Sequence, residues 1–570
     1  MGAAPTASKN EYRFFRGLMP ETRTGRAAFA LILLVALALR LIGITWGLPK
    51  EHYRHSMYMT ENETLEFINK IDMLSGDFDP DTPRPLAYNL YIGQAVLLAA
   101  DALGLCEYTQ DETEYQQDPE ILRCIYLVLR CWIVLVSLLG LVFVFGTGRL
   151  AYGETAGLIA MALVAVTPIH VTESHFYTHQ LRVSTYIAMS LYLCLLAIRS
   201  RRPAHEKACA LASGLTGAVL INGLGCGIAL LLIAIYNRPR HQGVVRHLFS
   251  GKMFALYDLF LFAFAAGIGG QWAQAQEFVA QWSHLQLEVY YRDVGSGIGT
   301  DLTNTLPYTI GIPAYLISIA AVIWAAIKHR RREIVNLSYF LVFFLAMLAF
   351  SVTRARYVLH FLPPLAVISA GFLTDLPGLF VKASAKKRAP VNPAYAPWVF
   401  LGLIISYNLF YTAVYLDLME RPLTSTQASE WMQEHLPQNA RIGLLTDFHE
   451  GLPGILREGY FGPGRNYYPN QVRIVTDRGV RLPKDLDAVV TFDLELRGVY
   501  DKYLKHPEEN PERAALAEKL LRGNGAYRQV AVFAEKPFLF RNMVTASERP
   551  LDLSFNLIPI RVFVPVADDQ

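Results

Sequence analysis

The sequence predicts a polytopic α-helical membrane protein of about eleven spans with a soluble α/β domain at its C-terminal end. Three observations predict it. The chain of 570 residues is 53% hydrophobic and only 18% charged, with a mean hydropathy of +0.26. So few charges cannot cover the surface of a soluble enzyme of this length. Apolar runs long enough to cross about 30 Å of hydrocarbon recur along its first three quarters. Beyond Leu418 the composition turns to that of a water-soluble domain.

The predicted spans lie near 27–48, 121–147, 154–171, 181–199, 253–272, 309–327, 337–352, 358–381 and 397–419. The run 208–236 begins and ends in basic clusters, at Lys207 and Arg238, so an even number of crossings must separate its ends. Gly223, Gly225 and Gly227 near its middle suit a tight hairpin of two short helices. The first 26 residues carry Lys9, Arg13, Arg16, Arg23 and Arg26, and no small-residue cleavage site follows the first run. It therefore reads as a retained span rather than a signal peptide.

Orientation follows from charge. Basic clusters at 199–207, 238–252, 328–332 and 382–388 all fall on the side of the N-terminal tail, 1–26. The positive-inside rule makes that side cytoplasmic. The transmembrane domain is then 27–419, and the outer loops 50–120 and 273–308 share the extracytoplasmic face with the domain 420–570. A plasma (inner) membrane location is expected. The net charge of +3 comes from clusters between apolar runs, a pattern that argues for membrane orientation and against nucleic-acid binding.

Within the first outer loop, residues 60–74 read as a helix with Thr60 as N-cap and Glu63 three positions on. Residues 85–104 are apolar but interrupted by Tyr88, Asn89, Gln94 and Asp101, which suits a helix lying in the interface. The six cysteines show no CxxC or CxxH spacing, so neither a zinc site nor a disulfide scaffold is expected. Cys106 and Cys124 could pair if they face an oxidising compartment; buried free thiols are the preferred reading. In the soluble region 425–435 reads as a helix, 441–446, 472–476 and 487–492 as strands, and 511–522 as a helix opened by Pro511.

In this order the chain carries Leu41-Ile-Gly-Ile-Thr-Trp-Gly-Leu-Pro49, Leu74-Ser-Gly-Asp-Phe-Asp-Pro80, Ala156-Gly-Leu-Ile-Ala160, Thr167-Pro-Ile-His-Val171 and Ser174-His-Phe-Tyr-Thr178. Arg356-Tyr-Val-Leu-His-Phe-Leu-Pro-Pro364 and Ser425-Thr-Gln-Ala-Ser-Glu-Trp-Met-Gln-Glu-His-Leu-Pro437 come after them. The ordered set resembles the GT-C superfamily of membrane glycosyltransferases, polyprenol-dependent enzymes of the protein mannosyltransferase and aminoarabinose transferase types. The resemblance implies a polyprenyl-phosphate-linked sugar as donor and an acceptor presented outside the membrane. Such chemistry needs a carboxylate to orient or deprotonate the acceptor and cations to stabilise the departing phosphate.

Two positions depart from the family pattern. The acidic pair of the first outer loop falls on Asn62 and Glu63, and the second acid falls on Gln180. Glu63, Glu61 or Glu173 is left as the candidate base, although Thr60-x-x-Glu63 is also a capping box that needs no catalytic role. Asn62-Glu-Thr64 is also a glycosylation sequon. His175, His179, Gln180, Arg182 and Asn62 are candidates for the binding site, and a divalent cation held with Glu63 is a candidate cofactor with no ligand spacing that requires it. Arg356, with Arg354 and Tyr357 beside it, is the candidate for the lipid phosphate, because a guanidinium can fork onto phosphate oxygens. Arg292 precedes Gly295-Ser-Gly-Ile-Gly299 in a loop suited to a lid.

Two functions are compatible with these residues. One is a glycosyltransferase with membrane lipid and a lipid-linked sugar as partners. The other is a GT-C-like scaffold or complex subunit, with membrane-protein partners, that has lost catalysis and still binds a lipid. The paired amides Asn62 and Gln180 favour the second, and Arg356-Tyr357 with the polar groups near His175 favours the first.

Overall fold

The computed structural model describes residues 14–48, 71–79, 87–109, 118–269, 271, 301–349, 355–384, 395–444, 468, 470–476, 479–480, 483, 485–492, 507–508, 511–521, 527–534 and 560–566. They form two compact units, one of 1–41, 65–96 and 129–413, the other of 42–64, 97–128 and 414–570.

The first unit is a helical bundle. Six helices among the described residues are long and apolar enough to cross a membrane, or seven if the bent pair Glu154–Ala165 and Pro168–His175 is one span. The expected eleven is therefore not reached by length and composition. The other predicted crossings appear as the shorter Ile221–Tyr236 and Ile312–Lys328, as Pro203–Val219, and as Arg331–Ala349, which opens on charge. Leu34, Leu261, Phe262, Ile327, Leu345 and Leu403 all stand outward on this unit, more than half exposed. Large apolar side chains in that number are tolerated outward only where the surrounding solvent is lipid.

Helices of this kind gain little from the hydrophobic effect in lipid, so close backbone approach holds them together. A Cβ on Gly157 would lie 2.6 Å from the Phe145 carbonyl oxygen, and one on Gly148 2.9 Å from the Gly157 Cα. Helix Glu154–Ala165 thereby lies directly on Pro119–Tyr152, and Gly153, at φ 103°, makes the turn between them. The run 208–236 breaks where its glycines predict, into Pro203–Val219, a tight turn Ile221–Gly227 and Ile228–Tyr236.

Two expectations are corrected. The span expected over 154–171 is broken, bending by 68° between Ala165 and Pro168. Thr167 is driven into an extended conformation by the following proline, and Pro168 starts a new short helix. The helix expected over 60–74 does not extend through its last residues. Asp72 instead bridges Asp77 across a turn, where its carboxylate accepts the Leu74 N–H at 3.0 Å. Aspartate competes for nearby backbone N–H groups in this way and so favours turns over helix.

One end of this unit gathers ion pairs. Lys252 pairs with buried Glu206 at 2.7 Å, Arg332 with buried Glu333 at 3.0 Å, and Lys328 with Asp375 at 2.8 Å. The same end holds the N-terminal segment: Glu154 accepts the Glu21 N–H at 2.6 Å and Arg149 donates to the Arg16 carbonyl at 2.6 Å.

The second unit is built on a five-stranded sheet of order β2-β1-β5-β7-β6, with β1 Ile442–Leu444, β2 Gln471–Arg473, β5 Ala488–Phe492, β6 Tyr527–Phe533 and β7 Ile560–Pro565. The two short strands β3 Val475–Thr476 and β4 Gly479–Val480 form a separate antiparallel pair. Strands β1, β2 and β5 are parallel, with Ile442 opposite both Gln471 and Ala488. Strand β7 inserts antiparallel between β5 and β6, pairing Val489 with Phe563 and Gln529 with Phe563. Helix Thr424–His435 buries Ala428 and Met432 against Ile442, Val490 and Val562. Buried Tyr468 joins them by donating to the Met432 carbonyl at 2.7 Å. Strands β6 and β7 escaped the sequence reading.

Candidate functional site

The site is the end of the helical unit away from the ion pairs just described. There the bent segment Pro168–His175, the start of helix His179–Ser200, the end of helix Arg23–Leu41 and the turn Ala355–His360 are packed together. The bend is what creates it. A straight helix would carry residues 168–175 past this level, whereas the break at Thr167-Pro168 folds them back into the bundle, where 168–178 are all buried.

Glu173 is 2% exposed, and Thr178 Oγ1 donates to its Oε2 at 3.1 Å. His175 is wholly buried, with Nδ1 2.8 Å from the Val171 carbonyl of the preceding turn. Gln180 is also buried, and its Oε1 has no hydrogen-bond partner. His179, at the first position of its helix, is half-buried. Arg182 donates from Nη1 to the Tyr177 hydroxyl at 2.7 Å, from Nε to the Thr178 carbonyl at 3.2 Å, and lies 4.2 Å over the Tyr177 ring. Tyr177 in turn donates to the Asn89 carbonyl at 2.8 Å. Beside this cluster the hydroxyls of Tyr88 and Tyr186 are hydrogen-bonded to each other, with ring planes at 87°.

Arg356 is buried in the turn Ala355–His360, with Tyr357 half-buried next to it and the Tyr357 ring 6.0 Å from that of His360. Ser184 Oγ donates to the Leu359 carbonyl at 2.8 Å, joining this turn to helix His179–Ser200. The structure thus brings Glu173, His175, Gln180, Arg182, Arg356 and Tyr357 into one end of one unit. Glu61, Asn62, Glu63, Arg292 and Arg354 lie outside the described residues.

Two arginines and a histidine were missed. Arg40 is fully buried and donates from Nη1 to the Ala36 and Ala165 carbonyls at 2.8 and 3.2 Å, while its Nη2 is 2.8 Å from His170 Nδ1. It thereby occupies the Ala165 carbonyl, freed where helix Glu154–Ala165 ends, and also bonds the Ala36 carbonyl one turn back on its own helix. Arg130, also fully buried, sits 5.1 Å over the Phe176 ring. The signal was present: each is a lone charge inside an apolar run, and ionisable groups in such runs are rare and concentrate at functional places.

Charge sign is the dominant electrostatic feature. Among the described residues this end buries four arginines, Arg40, Arg130, Arg182 and Arg356, and one glutamate, Glu173. Beside the break, an apolar slot is lined by Leu163, Thr167, Ile310, Ile317, Leu365 and Ile404. Among the described residues no three His, Cys, Asp or Glu side chains converge as a metal site.

Bundle and site together define a multi-pass helical membrane protein. No family model and no curated protein matches the chain. Among solved structures it is similar to the oligosaccharyltransferase AglB of Archaeoglobus fulgidus in complex with an inhibitory peptide and a dolichol-phosphate. That likeness has 13% identity and a TM-score of 0.48, and covers 94% of this chain and 77% of that one. It is similar also to ArnT of Cupriavidus metallidurans bound to undecaprenyl phosphate, at 15% identity and a TM-score of 0.46 over 96% of this chain and 99% of that one. Likeness at this level concerns the path of the chain and gives no residue a role.

Proposed function

We propose that the chain is a membrane glycosyltransferase that takes a sugar from a polyprenyl-phosphate carrier and passes it to an extracytoplasmic acceptor. The observation that carries the reading is that, among the described residues, one end of a membrane bundle buries four arginines and one glutamate. Guanidinium groups gathered at one buried end favour an anion, because their planar forks match phosphate and carboxylate oxygens. A lipid phosphate meets that description. Arg356 forks onto the phosphate and stabilises the charge that develops as the carrier leaves. Glu173, or Glu63 or Glu61 from the first outer loop, orients or deprotonates the acceptor.

The second reading, a subunit that binds the lipid without turning it over, is favoured by one specific pair of residues. Asn62 and Gln180 stand where the resembled family keeps acids, and the Gln180 Oε1 accepts no hydrogen bond. Reconstitution with polyprenyl-phosphate sugars separates the two. Release of free polyprenyl phosphate, lost in Glu173→Gln or Glu63→Gln and in Arg356→Ala, supports the transferase. Carrier binding that depends on Arg356 with no release from any donor supports the subunit.

A further inference from the structure

Cys106 and Cys124 lie in the second unit, with the Cys124 Sγ 3.4 Å from the carbonyl oxygen of Leu105, the residue before Cys106, and both stand as free thiols. Each is held in place by its own backbone. Helix Ala87–Ala102 ends in a turn in which Gly104 takes φ 66°, Gly104 N–H reaches the Asp101 carbonyl at 2.8 Å and Leu105 N–H the Ala100 carbonyl at 2.9 Å. Such a turn fixes the direction in which the next residue, Cys106, leaves the helix. Cys124 sits in the second turn of helix Pro119–Tyr152, and its Sγ donates to the Leu105 carbonyl at 3.4 Å. The Cys124 sulfur is thereby placed against the residue that precedes Cys106, which is the neighbourhood a disulfide between the two requires.

The side of the membrane on which the two thiols lie decides their redox state. Helix Pro119–Tyr152 has 34 residues. At about 1.5 Å per residue it outruns a hydrocarbon core of about 30 Å by several turns. Arg149 at its far end is engaged with the N-terminal segment, so the surplus length carries its first turns, Cys124 included, out of the membrane on the opposite side. On the orientation read from the basic clusters, that side is extracytoplasmic, where thiols are oxidised and disulfides persist.

We infer that Cys106 and Cys124 form a disulfide in the mature protein, closing the connection between helices Ala87–Ala102 and Pro119–Tyr152. The oxidant is the disulfide of an extracytoplasmic thiol–disulfide oxidoreductase. Half-exposed Cys124 attacks it as thiolate and forms a mixed disulfide, releasing one donor thiol. Cys106, 5% exposed, then attacks the Cys124 sulfur, and the second donor thiol leaves. Two S–H bonds are lost here and two formed on the donor, so protons and electrons balance. Cys131, Cys194, Cys209 and Cys226 lie further into the bundle sequence and take no part.

The inference rests on the outward orientation of this connection, and the test reads the two separately. Arg123 lies between the cysteines, so trypsin separates them into Ile71–Arg123 and Cys124–Arg130. The full chain is made in cells with an oxidising extracytoplasmic space, quenched in acid, alkylated in denaturant and digested without reductant. The expected result is the two peptides joined, separating on reduction, and in Cys106→Ser a Cys124 recovered wholly alkylated. Recovery of both cysteines alkylated in the unreduced wild type overturns the disulfide. In parallel, Ser75→Cys, exposed in the same outer loop, is probed on intact cells with a membrane-impermeant maleimide. Labelling there beside two alkylated cysteines overturns the disulfide with the orientation intact; absence of labelling beside them overturns both.

Discussion

Ser184 Oγ donates to the carbonyl oxygen of Leu359 at 2.8 Å, and this bond ties the helix that opens beside Gln180 to the turn that carries Arg356. The two residues are 175 positions apart. No local pattern announces the pair, yet it unites the two halves of the candidate site.

Ser184→Ala leaves a buried carbonyl unpaired, which costs about 1–3 kcal/mol. The variant is expected to fold with a lowered melting temperature in detergent and to bind polyprenyl phosphate more weakly than wild type. An unchanged lipid affinity beside a lowered melting temperature would show that the tie serves stability alone.

Arg40→Ala removes the side-chain donor to the Ala165 carbonyl and the partner of His170. At about 1–3 kcal/mol for each buried polar group left unpaired, it is expected to be among the most damaging single changes in the bundle. Arg40→Lys retains the charge, but its single ammonium cannot reproduce the guanidinium fork, so it should rescue only part of the loss. Fluorescence-detected size-exclusion chromatography after graded heating ranks the three proteins.

Gly157→Leu would drive side-chain atoms into the Phe145 carbonyl, 2.6 Å from where even a Cβ would sit. Helices Pro119–Tyr152 and Glu154–Ala165 must then separate, and a sharp fall in monodisperse yield is expected. Leu158→Ala, a half-buried neighbour on the same helix, is the control and should behave close to wild type.

Hydrogen bonds from the Ser75 hydroxyl, and from the Ser75 and Leu74 N–H groups, hold the Asp72 carboxyl below the ordinary carboxylate range. A lowered native value means that this turn is supported above the ordinary carboxylate pKa and loses that support as the pH falls through the depressed one. Protection of the 72–77 turn in hydrogen exchange, corrected for intrinsic rates, should therefore decline only at strongly acidic pH. Asp72→Asn should show no such step.

Much of the architecture could be read from residue order. Apolar length marks helices such as His179–Ser200, Gly251–Ile268 and Ala396–Met419. Gly223, Gly225 and Gly227 mark the break within 208–236, and Pro511 the start of helix Pro511–Leu521. Each is a local preference that acts within a few residues. Strands β6 and β7 were missed for the opposite reason. In β6 only Tyr527 is buried, so no clean alternation shows, and its pairing with β7 joins segments some thirty residues apart.

The sequence by itself determined that this is a multi-pass membrane protein and which residue types are available for chemistry. These depend on composition and on properties summed along short windows. Tertiary structure alone decided that the span after Gly153 bends at Pro168, that Arg40 and Arg130 join the buried arginines, and that Cys124 lies against the residue before Cys106. Those facts depend on which distant surfaces pack together, and a single buried charge or thiol takes its meaning from neighbours that chain order does not supply.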